Sequence, residues 1–434
     1  MVEAEREFVL KAAEERDVRF VQLWFTDVLG QLKAFAIPVE ELPEALSDGA
    51  SFDGSSIEGF ARAHEADMIA MPVPRTFQSL PWRPERAGVA RMFCDVLTAD
   101  GEPFEGDPRR VLKRTMARVR DHGFTAYVGG EIDFFLLAGP NDPTPVDTGS
   151  YFDLTPLDSA NDFRRAVLIY LEALGIPVKD SHHEDAASQH GVDLRHADAL
   201  TVADSLMSFR LVVKEVAREL GVYATFMPKP IEGAQGSGLH THLSLFEGER
   251  NAFFDATDEY HLSKVGRSFI AGLLRHAREI TAITDQWVNS YKRLVPGFEA
   301  PTHVTWGAHD RSALVRVPLV KRGKEASCRI EYRAPDPACN PYLTLAVILA
   351  AGIEGVLGEY ELPPEADPTG GGAPSPPLPE TLAEALEAMR GSRLVREVLG
   401  DHLFEWFVAN KVAEWGEHKA HVSRLEIERY LPRL

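Results

Sequence analysis

The chain has few cysteines, a deficit of positive charge and no long apolar run, and each shortage removes a class of protein. Its three cysteines, Cys94, Cys328 and Cys339, are odd in number and form no CxxC pair. That spacing argues for buried thiols in a reducing compartment rather than for a disulfide framework. Lysine and arginine together number 46 against 66 acids, for a net charge of −20. A nucleic-acid binder needs a basic face, so no nucleic-acid partner is expected, and the balance suits a soluble enzyme. The longest apolar run, around Tyr342–Gly352, is too short to span a bilayer. The opening residues are acidic where a signal peptide is basic and then apolar. No membrane association is expected, and a cytoplasmic location is. GxxxxGK(S/T), GxGxxG after a strand and HExxH are also absent, so a P-loop, a Rossmann site and a zincin site are unsupported.

What is present starts with size. At 434 residues the chain exceeds the length at which single cores stop growing, and two domains are expected. The boundary is placed between Ala99 and Asp107, giving residues 1–103 and 104–434. Val18–Phe25 and Gln31–Ile37 flank the turn Thr26-Asp27-Val28-Leu29-Gly30 and read as a hairpin. Val89–Val96 reads as a further strand. Asp107 and Pro108 cap and open a helix that runs to about Asp121. Helices are also expected at 3–16, 160–174, 200–220, 260–285, 340–358 and 380–412. The Gly- and Pro-rich segment Pro363–Pro379 reads as a mobile surface loop.

Three short segments carry polar side chains at alternate positions: Glu131-Ile132-Asp133, His240-Thr241-His242-Leu243-Ser244 and Arg329-Ile330-Glu331-Tyr332-Arg333. In a strand, alternate residues share a face. Each segment therefore offers a charged or imidazole face backed by an apolar one. Gathered in one cavity, these carboxylates, imidazoles and guanidiniums are unfavourable as a core and sensible around a polyanion with divalent cations. His182-His183-Glu184 adds a further oxygen ligand at Glu184, although a His pair before Glu is often only a polar loop. Arg293, Arg311, Arg316, Arg329 and Arg333 fall in one stretch of an otherwise acidic chain, and arginine grips phosphate and carboxylate bidentately. Zinc ranks below a mixed imidazole–carboxylate magnesium or manganese site.

Read in order, these motifs carry a family pattern. Phe52-Asp53-Gly54-Ser55-Ser56-Ile57, Gly130–Phe135, His182-His183-Glu184, Gly236–His242, the run Asn289–Pro301, Arg311-Ser312-Ala313 with Arg316, and Arg329–Arg333 follow one another along nearly the whole chain. In them the chain resembles glutamine synthetase of the bacterial class I type. The resemblance implies an α+β architecture, with a small N-terminal β-grasp domain and a larger catalytic domain whose curved antiparallel sheet forms a funnel. It implies an ATP-dependent ligase that makes an amide on the γ-carboxylate of L-glutamate through a γ-glutamyl phosphate. ATP, Mg2+ or Mn2+, L-glutamate and ammonia or a small amine are the expected cofactors and substrates, and the expected assembly is a homo-dodecamer of two stacked hexameric rings.

The resemblance also implies roles. Glu131, His240 and Glu331 would hold one metal, and Asp133 and Glu184 would belong to the other. Arg293, Arg311 and Arg333 would bind glutamate or the transferring phosphoryl group, beside Gly236 and His240. His242, Ser244, Arg311, Arg316 and Arg329 would face ATP. Asp53, in a neighbouring subunit's funnel, would bind and deprotonate ammonium with Ser56, Tyr151 and Glu184, and Glu299 would close over the intermediate. Tyr360 lies where some relatives are adenylylated, and a structural role is expected for it.

Several positions depart from the family pattern. Gly191 stands where a second metal-site glutamate is usual, and Asp133 replaces a glutamate. Asp310 replaces an asparagine, Lys179 a nucleotide-contacting glutamate, and Gln235 an asparagine. His190, Asp185 and Asp193 are the candidates to compensate, and a glutamate restored at Gly191 is expected to tighten metal binding. Two alternatives to ammonia ligation therefore stay open: γ-glutamylation of a polyamine or ethanolamine, and an impaired paralogue with a structural or regulatory role.

Overall fold

The computed structural model describes residues 2–55, 57, 67–82, 88–154, 160–366 and 375–434. The expected hairpin is present, with Val18–Thr26 antiparallel to Leu32–Pro38. Asp27 shapes its turn, Oδ1 accepting from the amides of Leu29 at 3.0 Å and Gln31 at 2.8 Å. Gly30 takes φ +79°, and a side chain there would also strike the backbone of Asn340. Val18–Thr26 pairs in parallel with Gly88–Thr98, the middle strand of a sheet with six strands among the described residues. Asp53 ends the strand Ala50–Asp53 at the edge of that sheet.

The second sheet has eleven strands among the described residues, and the long strand Thr125–Gly139 is its axis. On one side it pairs with Leu239–Glu247, which pairs with Ile330–Tyr332, then Val315–Arg316. On the other it pairs with Gln189–Leu194, then Val178–His183. All these pairings are antiparallel. Behind the sheet lies the main core, where Ile132, Phe134, Leu243, Leu245, Ile330 and Tyr332 meet buried residues of the helices Ala199–Glu219, Lys264–Thr284 and Pro341–Leu357. The last of these helices is buried on nearly every side, as its apolar sequence requires. The fold is thus a β-grasp domain followed by a larger α/β domain built on a curved sheet. No described helix is long and apolar enough to cross a membrane.

The expected helix at 380–412 is three helices, Leu382–Arg390, Arg393–Leu399 and Asp401–Ala420. Ser392 caps the second through Val395 N at 3.2 Å, and Gly400, at φ +80°, separates it from the third. The helix expected at 260–285 begins at Lys264, where Ser263 caps it. Of the loop expected at Pro363–Pro379, residues 367–374 lie outside the described set.

The two sheets meet along a seam of charges. Arg109 binds Asp204 bidentately at 3.1 and 2.9 Å and Asp95 at 2.6 Å. Lys113 takes the other oxygen of Asp95 at 2.6 Å, and the Tyr342 hydroxyl donates to Asp204 at 2.7 Å. Asn340 donates to the carbonyls of Asp27 and Val28 and caps the helix behind it. The hairpin is thereby tied to the large sheet's helices.

Candidate active site

Strand periodicity places the polar residues as the sequence pattern predicts. Along Leu239–Glu247, His240, His242 and Ser244 are half-buried while Leu239, Thr241, Leu243 and Leu245 are buried. Register then aligns the strands, with His240 opposite Glu131, His242 opposite Glu331, and Gly191 opposite Asp133. One face of the curved sheet therefore carries all three polar rows.

A cavity of about 180 Å3 opens on that face. Glu131, Asp133, Tyr151, Glu184, Gly236, His240, Arg293, Glu299, Arg311, Arg316, Glu331 and Arg333 all line it. His240 Nδ1 stands 3.5 Å from Glu131 and 3.6 Å from Glu331. Glu331 accepts from Arg316 Nε at 2.6 Å and Arg333 at 2.7 Å. Burial opposes its charge, but the His240, His242, Arg333 and Arg316 charges outweigh it and bring its carboxyl down to about 2. Burial likewise opposes ionisation of Glu131, and contact with His240 holds that carboxyl below its usual range. Asp133 goes the other way, for burial and the charges of Glu184 and Glu131 hold its carboxyl well above the ordinary value. One of its oxygens accepts from Gly238 N at 2.8 Å, while Oδ1 is buried with no hydrogen-bond partner.

Two groups of ligand atoms gather here, Glu131, His240 and Glu331, and Glu131, His182 and Glu184; all but His182 line the cavity. Carboxylates with one imidazole in each group, beside the orphaned oxygen of Asp133, suit a hard divalent cation. The residues present fit the metal that the sequence pattern implies. Asp133 lines the cavity but joins neither group.

His182 was not among the expected ligands. It belongs to the strand Val178–His183 rather than to a polar loop, so Asp180 and His182 share the funnel face. The alternation of Asp180, His182 and Glu184 was the available signal. Burial pulls its imidazole down, but the Glu184 hydrogen bond at 2.6 Å and nearby carboxylate charges lift it to about 9. Asp185, one of the residues expected to compensate at the metal, lines the cavity, as does Gln189, which was not singled out.

Other expected residues lie elsewhere. Asp53 is outside the cavity, its Oδ1 accepting from Ser55 N at 3.0 Å, and Ser56 lies outside the described residues. His242, Ser244 and Arg329 follow the same sheet face beyond the cavity lining. Burial pushes the His242 imidazole down to about 4, leaving it neutral near pH 7. At the rim, Arg311 donates to Glu299 at 3.0 Å, with both side chains exposed. The raised hydroxyl of Tyr151 faces the same field, shifted first by burial and then by Glu184 and Glu131.

The departures from the family pattern find local partners. Lys179 pairs with Asp193 at 2.6 Å and Asp180 at 3.0 Å. Burial and the charge of Glu131 bring Asp193 up to about 6. His190 lies on the opposite face of the sheet with Asp147 and His183, so it cannot reach the cavity. There Asp147 Oδ1 contacts His183 at 3.0 Å and accepts from Ser188 N at 2.8 Å. Ser188 holds φ +60° in the turn that carries Glu184. A second cavity, of about 700 Å3, lies by Gly30, Trp287 and Glu414 and gathers no comparable set of acids.

Comparison with known proteins agrees with this geometry. Residues 17–99 match the family model described as glutamine synthetase, beta-Grasp domain, and residues 105–430 the one described as glutamine synthetase, catalytic domain. A glutamine synthetase of Mycolicibacterium smegmatis is 53% identical over 444 residues, covering 99% of this chain and 100% of the relative. One from Thermotoga maritima is 45% identical, covering 98% of this chain and 99% of the relative. The solved structure of a GmaS/ADP complex superposes with a TM-score of 0.89 at 32% identity, covering 98% of this chain and 99% of that one. Two family models that together cover most of the sequence, and a relative more than half identical from end to end, make this chain a member of the glutamine synthetase family.

Proposed function

We propose that this protein is an ATP-dependent ligase that joins ammonia to the γ-carboxylate of L-glutamate. The observation that carries the reading is the convergence of Glu131, Glu184, His240 and Glu331 with Arg293, Arg316 and Arg333 in one cavity. It is supported by end-to-end similarity to glutamine synthetases. A carboxylate is a poor electrophile, so it must first be activated. An oxygen of the γ-carboxylate attacks the terminal phosphorus of ATP and ADP leaves. Ammonia then attacks the acyl carbon and phosphate leaves.

The divalent cations, Mg2+ or Mn2+, supply screening of the phosphate charge when bound, held by Glu131, His240 and Glu331 and by the Glu184 group. Arg293, Arg311 and Arg333 orient glutamate and the transferring phosphoryl group, a positioning and electrostatic task. His242, Ser244, Arg316 and Arg329 lie along the nucleotide's side of the sheet. Glu299 closes the cavity mouth against water. Its bridge to Arg311 is solvent-exposed and worth at most about 1 kcal/mol, which leaves that segment able to shift. Asp53 lies outside the cavity of its own chain and serves a neighbour's in a homo-oligomer, two stacked hexameric rings, where Asp53, Ser56, Tyr151 and Glu184 receive ammonium. The protein works in the cytoplasm. The deciding experiment is phosphate release from ATP and glutamate with ammonium, putrescine, spermine or ethanolamine as acceptor. Turnover with ammonium is expected; turnover only with another amine, or none with any metal, overturns the reading.

A further inference from the structure

Gly191 contributes no side chain to the cation-binding wall, yet the room beside it is filled. It faces Asp133 on one neighbouring strand and His182 on the other. A Cβ added at Gly191 would lie 2.6 Å from Glu184 Oε1 and 2.9 Å from His182 Nε2. The imidazole therefore occupies the space into which a longer side chain at 191 would project.

We propose that His182 Nε2 is a ligand of the second divalent cation, standing in for the carboxylate that the family pattern places at Gly191. This rests on the reading of the cavity as a divalent-cation site. Reach supports it: ligand atoms of His182, Glu131 and Glu184 all lie within 4.8 Å of one another. Orientation supports it too. Asp180 Oδ1 stands 3.3 Å from His182 Nδ1, and a carboxylate on the far ring nitrogen is what fixes a metal-binding imidazole with its other nitrogen facing the ion. The other candidates are otherwise placed. Asp193 is engaged by Lys179, His190 is on the far face, and Asp185 is exposed at the rim.

Exchanging a carboxylate for an imidazole removes one negative charge and one hard oxygen from the site. Such a site prefers Mn2+ over Mg2+ more than an all-oxygen one does. Nε2 stands 2.6 Å from Glu184 Oε1, so a cation between them would take both as ligands.

The alternative is that His182 is only a counter-charge to the acids, and the two readings differ in sign. A ligand removed weakens metal binding, whereas a counter-charge removed tightens it. The test is Mn2+ titration of the full-length protein, followed by EPR of free Mn2+ and by pulsed-EPR detection of nitrogen coupling. In His182→Ala, one class of Mn2+ site is expected to weaken by about tenfold or more and to lose its imidazole nitrogen signal. The His240-containing class persists and reports that the fold is intact. Gly191→Glu alone, which the family pattern leads one to expect to tighten binding, is instead expected to lose the same class, because the new side chain collides with His182 and Glu184. The double variant His182→Ala/Gly191→Glu is expected to regain it, with its preference moved toward Mg2+. Unchanged or tighter Mn2+ binding in His182→Ala overturns the proposal. A wild-type protein that binds no Mn2+ overturns instead the reading of the cavity itself.

Discussion

Two clusters of charged side chains sit inside this chain, and they are finished to different degrees. At the seam between the sheets, Arg109 and Lys113 meet Asp95 and Asp204 in hydrogen bonds of 2.6 to 3.1 Å. Arg109 at its centre is buried, and Lys113 closes its outer edge. In the funnel, Glu131, Asp133 and Glu184 crowd one cavity with His240, His182 stands against Glu184, and Asp133 keeps a buried oxygen without a partner. Buried charges demand compensation. The seam supplies its own throughout, whereas the funnel compensates Glu131, Glu184 and Glu331 and leaves Asp133 without a counter-charge. The difference separates charge that is closed within the fold from charge that is open to a cavity.

The largest test of that contrast is at the seam. Arg109→Ala strands two carboxylates and is expected to cost about 3 to 5 kcal/mol in urea unfolding. A cost no larger than that of a surface substitution would erase the distinction.

Close to the same seam, burial and the charge of Asp95 bring the Asp107 carboxyl up to about 6, against an ordinary 3.8. Between those values the folded protein keeps a proton that the unfolded chain releases, so rising pH favours unfolding. The stabilisation is full below about pH 4 and gone above about pH 6, on the order of 3 kcal/mol. Asp107→Asn should remove that part of the stability–pH slope, measured as the difference between wild type and variant.

The funnel should answer to ions where the seam does not. Mn2+ at one hundred times its dissociation constant is expected to add about 2.7 kcal/mol to unfolding stability, and Glu184→Gln should diminish that gain. The smallest effect sharpens the point. Asp133→Asn keeps the Gly238 hydrogen bond and removes a repelled charge. In EDTA it should leave the protein at least as stable in urea unfolding while lowering its affinity for Mn2+. A loss of stability there would mean that the funnel is self-compensated after all.

Much of the site was legible because strands have a period of two. Spacing alone gives Glu131, His240 and Glu331 each a place on one face of its strand, and the register brings those strands side by side. The breaks at Ser392 and Gly400 were also written in the chain, but the intervening apolar pattern continued through them. His182 was passed over because a histidine pair before an acid reads equally as loop. Only its pairing with Gly191 turns the ring toward the cavity.

Residue order alone determined the family, the two-part architecture and the kinds of ligand the funnel holds, because alternation and motif order are local properties of the chain. Tertiary structure decided which acids stay unpaired, that His190 faces the core, and that His182 fills the room beside Gly191. Those outcomes depend on strand register and cross-strand distance, and residues far apart in sequence acquire both only when the sheet closes.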